Sequence, residues 1–419
     1  MKWILDDNED QRHDFEMKPR ERVTTILDHR EADRVPVIMC GNHAGISKGA
    51  YEKLCRYLGL TDSSSQIIDR MQQIVEPDER VLEKLGIDFR FIYSKPPRNW
   101  KPTEYPDDSY RDEWGIRWRR PPNGYWYDMV DHPLEQANLE DLENYNWPDP
   151  TDAGRFEGLE REAKGLYENT DYALATALTG SIYEQSWYLR GLTKFTFDLY
   201  RNRAFAERLM DKLLQIHIAF FERFLDSVGK YVQVVFVGDD LAEQKGPSMN
   251  PEIYRTLVKP RHEKLYRFIK SKTQAKLCYH SCGSVIPFIK DLIEIGVDIL
   301  TPIQVSAAKM DTQKLKEEFG DKLCFLGGVD SQRVLPFGTT DEVKDEVRKR
   351  IRDLAPNGGY ILGAVHNIQP EVPPENVCAM FEAAMKYGQY PDQINGSPTF
   401  SDIFHNAEPS RRGPWTSIL

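Results

Sequence analysis

No run of about 18 apolar residues occurs in this 419-residue chain, so nothing in it reads as a membrane-spanning helix. The opening Met1-Lys2-Trp3-Ile4-Leu5-Asp6-Asp7 turns acidic too early for a secretory signal, and the expectation is a cytoplasmic protein. Cysteine is sparse: Cys40, Cys55, Cys278, Cys282, Cys324 and Cys378 lack the dense spacing of a disulfide scaffold. That favours reduced thiols, several of them filling core volume. Positive charge is in deficit, with 55 Lys and Arg against 66 Asp and Glu and a net charge of −11. The basic residues are interleaved with acids, as from Glu342 to Arg350, which is the pattern of a solvated helix face. Neither a nucleic-acid partner nor a membrane is implied.

What is present is repetition. Eight short β-rich runs lie at 35–39, 88–92, 172–178, 231–237, 275–281, 299–304, 324–329 and 360–365. They are nearly continuous in apolar residues, as strands covered on both faces should be. Helical patterns separate most of them, for example Phe205 to Phe224, Pro251 to Ser271 and Thr340 to Leu354, and another precedes the first run from Lys18 to His29. Eight β-then-α units predict a closed (β/α)8 TIM barrel, with an open doubly wound sheet as the alternative. The barrel should span 17–394, between a loosely held segment 1–16 and a surface tail 395–419. Its regularity breaks at about 93–170, an aromatic-rich insertion between the second and third strands that includes Trp114 to Tyr127. Such a segment serves as a lid or docking surface, or forms a small β meander with its own core.

In a barrel of this kind chemistry sits at the C-terminal mouth, so the residues ending each run matter most. His280 and Cys282 end the fifth run, and two residues apart in an extended strand share a face. Imidazole nitrogen and thiol sulfur suit zinc, though the same pair also serves as core filler. His366 and Asn367 end the eighth run, making His280, Cys282 and His366 the expected metal ligands. Asp239 and Asp240 end the fourth run and cannot both face the mouth; one contacts the site and the other caps a neighbouring segment. Asp240 and Asp330 are the expected catalytic acids, and His43, Asp239, Gln304 and Asn367 the expected substrate contacts. His132, His217 and His262 fall in loops or helices and read as structural.

The stretches Arg20 to Pro36, Gly238 to Pro247, Tyr279 to Gly283, Phe325 to Asp330 and His366 to Asn376 resemble the uroporphyrinogen decarboxylase superfamily, with the similarity running from Arg20 to about Tyr387. The resemblance implies a (β/α)8 barrel and one of two chemistries. Decarboxylases in the superfamily use no metal and carry an early arginine-rich segment for propionates. Its corrinoid-dependent methyltransferases carry zinc on a His-x-Cys pair and a later cysteine. This chain has His280-Ser281-Cys282, and Gly41-Asn42-His43-Ala44-Gly45 where the arginine cluster would stand. It departs from the methyltransferases in placing His366 where the later cysteine is expected. Two imidazoles and one thiolate would leave the ion a stronger Lewis acid than one imidazole and two thiolates.

The expected function is therefore a zinc-dependent methyltransferase, the O-demethylating component that moves a methyl group between a small methoxylated substrate and the corrinoid (a methylcobamide) of a partner protein. A homodimer is compatible with the sequence. One rival is a metal-free carboxy-lyase with a mouth lined by arginines such as Arg90, Arg98, Arg190 and Arg333. Another is a binding module with a structural metal.

Overall fold

The computed structural model describes residues 16–390 apart from 61, 63 and 64. The expected tail at 395–419 and nearly all of the expected segment 1–16 lie outside the described residues. Seven parallel strands form one curled sheet in the order Tyr360–Ala364, Cys324–Val329, Ile299–Thr301, Lys276–His280, Val234–Gly238, Ala173–Thr176 and Phe89–Ile92. The first run, 35–39, joins the two edges through irregular contacts. Val37 bridges Leu362 in parallel on one side, and the Asp88 N–H donates to the Val37 carbonyl on the other at 3.1 Å. The result is a TIM-barrel-like fold in which one stave is held by isolated bridges.

Every residue of the strands Phe89–Ile92, Ala173–Thr176, Val234–Gly238, Cys324–Val329 and Tyr360–Ala364 is buried. The barrel interior fills one face and the helical ring covers the other, which is why no in-out alternation was visible in the sequence. Burying a side chain such as Val235 or Leu277 contributes about 1.5–3 kcal/mol. The helices follow from their own signals. Thr340–Leu354 starts at a capping box between Thr339 and Glu342 and turns Val343, Val347, Ile351 and Leu354 inward, while much of its charged face meets solvent. Arg203–Val228 and Pro19–Leu27 extend or trim the expected spans by a few residues at most.

The insertion is a four-stranded antiparallel meander: Thr103–Tyr105, Ser109–Arg111, Arg117–Arg119 and Asp128–Asp131. Tyr110, Trp118 and Tyr127 are buried in it, and the Tyr110 and Tyr127 rings meet edge-on at 5.1 Å. A second small sheet, Ile46–Ser47 with Gln66–Asp69 and Ile74–Glu76, follows the first barrel segment and was not anticipated. Its strand Gln66–Asp69 is largely exposed and carries no continuous apolar run. All six cysteines are free. Among the described residues no helix is long and apolar enough to cross a membrane.

The lower end of the barrel is closed by ion pairs. Asp88, fully buried, takes Arg22 at 2.7 Å and Arg34 at 2.8 Å, and Arg22 also holds Asp33 at 2.6 Å. The Val37 N–H donates to the same Asp88 carboxylate at 2.7 Å. Asp88 therefore fastens the irregular stave to its neighbour, far from the mouth.

Candidate metal centre at the barrel mouth

His280 is the last residue of its strand and pairs in register with Gly238 of the next strand. A Cβ at position 238 would come within 2.8 Å of the His280 Cβ and 2.6 Å of its carbonyl oxygen, so glycine is what lets the imidazole stand there. The chain leaves the strand at once through Ser281, Cys282 and Gly283. Gly283 has φ +86°, and a side chain there would run into the backbone of Ala242 and Glu243. Cys282 Sγ nevertheless stays 3.6 Å from His280 Nε2.

His43 arrives on the loop after the irregular stave. Asn367 fixes that loop: its Oδ1 accepts the Gly45 N–H at 2.9 Å and its Nδ2 donates to the Asn42 carbonyl at 2.8 Å. Asn42 in turn exchanges hydrogen bonds with Leu178 at the end of the third strand. The His43 and His280 ring centroids lie 4.4 Å apart, those of His280 and His366 5.5 Å, and those of His43 and His366 5.6 Å. Burial holds all three imidazoles below their ordinary range, His366 at about 4. They are neutral at pH 7 and keep a lone pair for a cation.

Two sets of donors fall within 4.8 Å of one another: His43 with His280 and His366, and Asp240 with His280 and Cys282. His280 belongs to both. The expected trio of His280, Cys282 and His366 is thus divided, because Cys282 lies past the strand end on the Asp240 side while His366 lies on the His43 side. The residue types fit a zinc-class ion, and the Nδ1 atoms of His43 and His280 are buried without a partner.

The adjacent acids separate sharply. Asp239 does not face the mouth, and its expected role as a substrate contact is corrected. Its carboxylate accepts from the backbone N–H groups of Ile182, Tyr183 and Glu184, from the Ser181 hydroxyl at 2.5 Å, and meets His262 Nε2 at 2.7 Å. It is an anion at the N-terminus of helix Tyr183–Arg190. Burial pushes its pKa up, yet the His262 contact and the other donors outweigh this and hold it below the usual carboxylate range. Asp240 faces the cluster, with Oδ1 accepting the Cys282 N–H at 2.7 Å and lying 3.8 Å from His280 Nε2. Burial, opposed by the Cys282 N–H and reinforced by Asp239, pushes Asp240 up to about 6.

Glu184 was not singled out in the sequence. It sits in the first turn of the helix that Asp239 caps, and burial, then the charges of Asp240 and Asp239, push its carboxyl well above the usual range. Its Oε1 accepts from the Tyr188 hydroxyl at 2.8 Å, and Tyr188 meets Trp118 of the meander edge-on at 5.8 Å. The insertion therefore packs against the helix that carries Glu184. No motif marked Glu184; only the pairing of Asp239 with a helix start places it.

Other expected residues are braces. Gln304 is buried and links the Gly283 N–H at 2.6 Å to Gln244 at 2.5 Å. Asn367 is likewise buried and engaged as described. Asp330 Oδ1 accepts the N–H groups of Gln332 and Arg333, capping its own turn, and belongs to neither donor set. His132 and His217 contact the carbonyls of Tyr188 and Ser181. Of the arginines proposed for an anionic mouth, Arg90 pairs with Glu79, Arg98 with Glu157 and Arg190 with Asp198.

The sequence pattern of uroporphyrinogen decarboxylase (URO-D) matches residues 129–387. The uroporphyrinogen decarboxylase of Nostoc punctiforme is 26% identical over 205 residues, covering 48% of this chain and 54% of that protein. That of Alkalilimnicola ehrlichii is 20% identical over 264 residues, 61% of this chain and 68% of that protein. The match thus spans about half the length of the first of these relatives. A methyltransferase from Methanosarcina mazei superposes with a TM-score of 0.60 at 20% identity, covering 89% of this chain and 99% of that one. At that identity the likeness speaks for the fold.

Proposed function

The chain belongs to the uroporphyrinogen decarboxylase family, and from that premise we propose that it is a zinc-dependent methyltransferase that takes a methyl group from a small methoxylated substrate and passes it to the corrinoid of a partner protein. One observation carries the reading: three imidazoles, a thiol and a carboxylate crowd one point of the mouth, and two of the imidazole nitrogens are buried with no partner. His280, with His43 and His366 on one side and Cys282 on the other, would hold the ion, with Asp240 beside them. Bound there, zinc supplies Lewis acidity to the ether oxygen of a methoxyl group.

The protein's own groups manage the proton. When the methyl–oxygen bond breaks, its electron pair stays on oxygen, and the methyl carbon takes a new pair from the incoming nucleophile. The oxygen then needs a proton. Asp240, pushed up to about 6, stands beside His280 to deliver it. Glu184 backs it with a second carboxyl pushed up in the same direction. The meander packs through Trp118 onto Tyr188, the partner of Glu184.

The test uses the purified full chain, stripped of metal and reconstituted with zinc, and follows demethylation of a methoxylated aromatic with reduced cobalamin as acceptor. Zinc-dependent turnover that His280→Ala abolishes together with the bound zinc is the expected result. Turnover indifferent to zinc would sink the proposal. Metal-free protein that decarboxylates tetrapyrrole acetate groups would replace it with the family's other chemistry.

A further inference from the structure

The two donor sets that share His280 are not equally available, and the difference, which rests on reading the mouth as a metal centre, identifies the coordinating side. On one side the donors are engaged already: Asp240 Oδ1 accepts the Cys282 N–H at 2.7 Å, and Cys282 Sγ lies 3.6 Å from His280 Nε2. On the other they are free. Nδ1 of His43 and Nδ1 of His280 are buried with no partner, and His366 makes ring contacts alone. A buried polar atom left unpaired is destabilising, and such atoms are rare in folded proteins unless something outside the chain completes them. One nitrogen of each ring also lies within 4.8 Å of the other two. The rings stand edge-on at interplanar angles of 66°, 71° and 73°, a three-sided arrangement in which none stacks flat on another.

We infer that the ion is carried by an imidazole tripod of His43, His280 and His366, with Cys282 and Asp240 forming an outer pair that leans on His280 rather than coordinating. Three neutral nitrogen ligands leave a dication its full charge, with one position open for an exogenous donor. No thiolate softens it. Such an ion prefers oxygen donors, so the substrate class is a methyl ether, aryl or alkyl, and a thiol acceptor is disfavoured.

The experiment loads metal-stripped full-length protein with Co2+ alone and records its absorption, then measures Co2+ and Zn2+ binding for Cys282→Ser, His43→Gln and His366→Gln. The tripod predicts no thiolate-to-cobalt charge-transfer band and undiminished binding in Cys282→Ser. Each histidine variant should lose roughly 100-fold or more in affinity, beyond what changing an outer residue usually does. Circular dichroism and a denaturation midpoint check that each variant is folded, and the wild-type spectrum decides even where one is not. A thiolate band together with lost binding in Cys282→Ser overturns the tripod and leaves the metal centre standing. Wild-type protein that binds neither ion overturns both.

Discussion

The two ends of this barrel bury charge and polarity in opposite ways. At the lower end Asp88 meets Arg22, Arg34 and the Val37 N–H, so both its oxygens are engaged. At the mouth, His43 and His280 keep nitrogens with no partner, and Asp240 and Glu184 hold their protons more tightly than exposed carboxyls do. A saturated network serves the fold, because removing any member strands the rest. An unsaturated one is open to a ligand, because those atoms have no partner within the chain. The contrast is repeated within one dipeptide: Asp239 is a helix anchor, and Asp240 faces His280 with its carboxyl pushed up.

The contrast can be broken most severely at Asp240. Asp240→Asn should cut methyl-transfer turnover by about 10²–10⁴-fold, the range for losing a general acid, while bound zinc and the unfolding midpoint hold; an unchanged rate removes Asp240 from the chemistry. Asp88→Asn should do the reverse. It strands two buried guanidiniums and should cost about 3–5 kcal/mol in urea denaturation, with zinc content per folded molecule unchanged. Asp239→Asn should fall between, losing about 1.5–3 kcal/mol for a charged hydrogen-bond centre and also slowing turnover, because the helix bearing Glu184 loses its anchor. The smallest effect is set by Lys316, whose ammonium burial pushes from 10.5 down to about 8. Between those pH values the unfolded chain binds the proton and the folded one does not, so stability should rise with pH across that window, by about 1 kcal/mol after screening. Lys316→Met should flatten that rise in denaturation curves taken from pH 8 to 10.5.

Much of the barrel was legible because buried parallel strands write themselves as apolar runs. Cys324–Val329 and Thr340–Leu354 begin and end where pattern and capping put them. The first segment was legible as a strand by composition, yet only single bridges form there, since pairing depends on partners that the local pattern does not show. Spacing alone marks His280 and Cys282 as a donor pair, whereas nothing local marks His43 as their neighbour. Its place beside His280 comes from Asn42 and Asn367, loop contacts more than 130 residues from their partners. The exchange of roles between Asp239 and Asp240 was half legible: one of two neighbours must turn away, but which one depends on a helix start at Ile182.

Asn367 ties the end of the eighth strand to the loop of the first. The pocket consequently has no partial form. Emerging from the ribosome, a chain already holding His43 and His280 lacks both His366 and the amide that orients His43 until its final strand docks. On the proposed reading of the mouth as a metal centre, ring closure and maturation of that centre would be a single event.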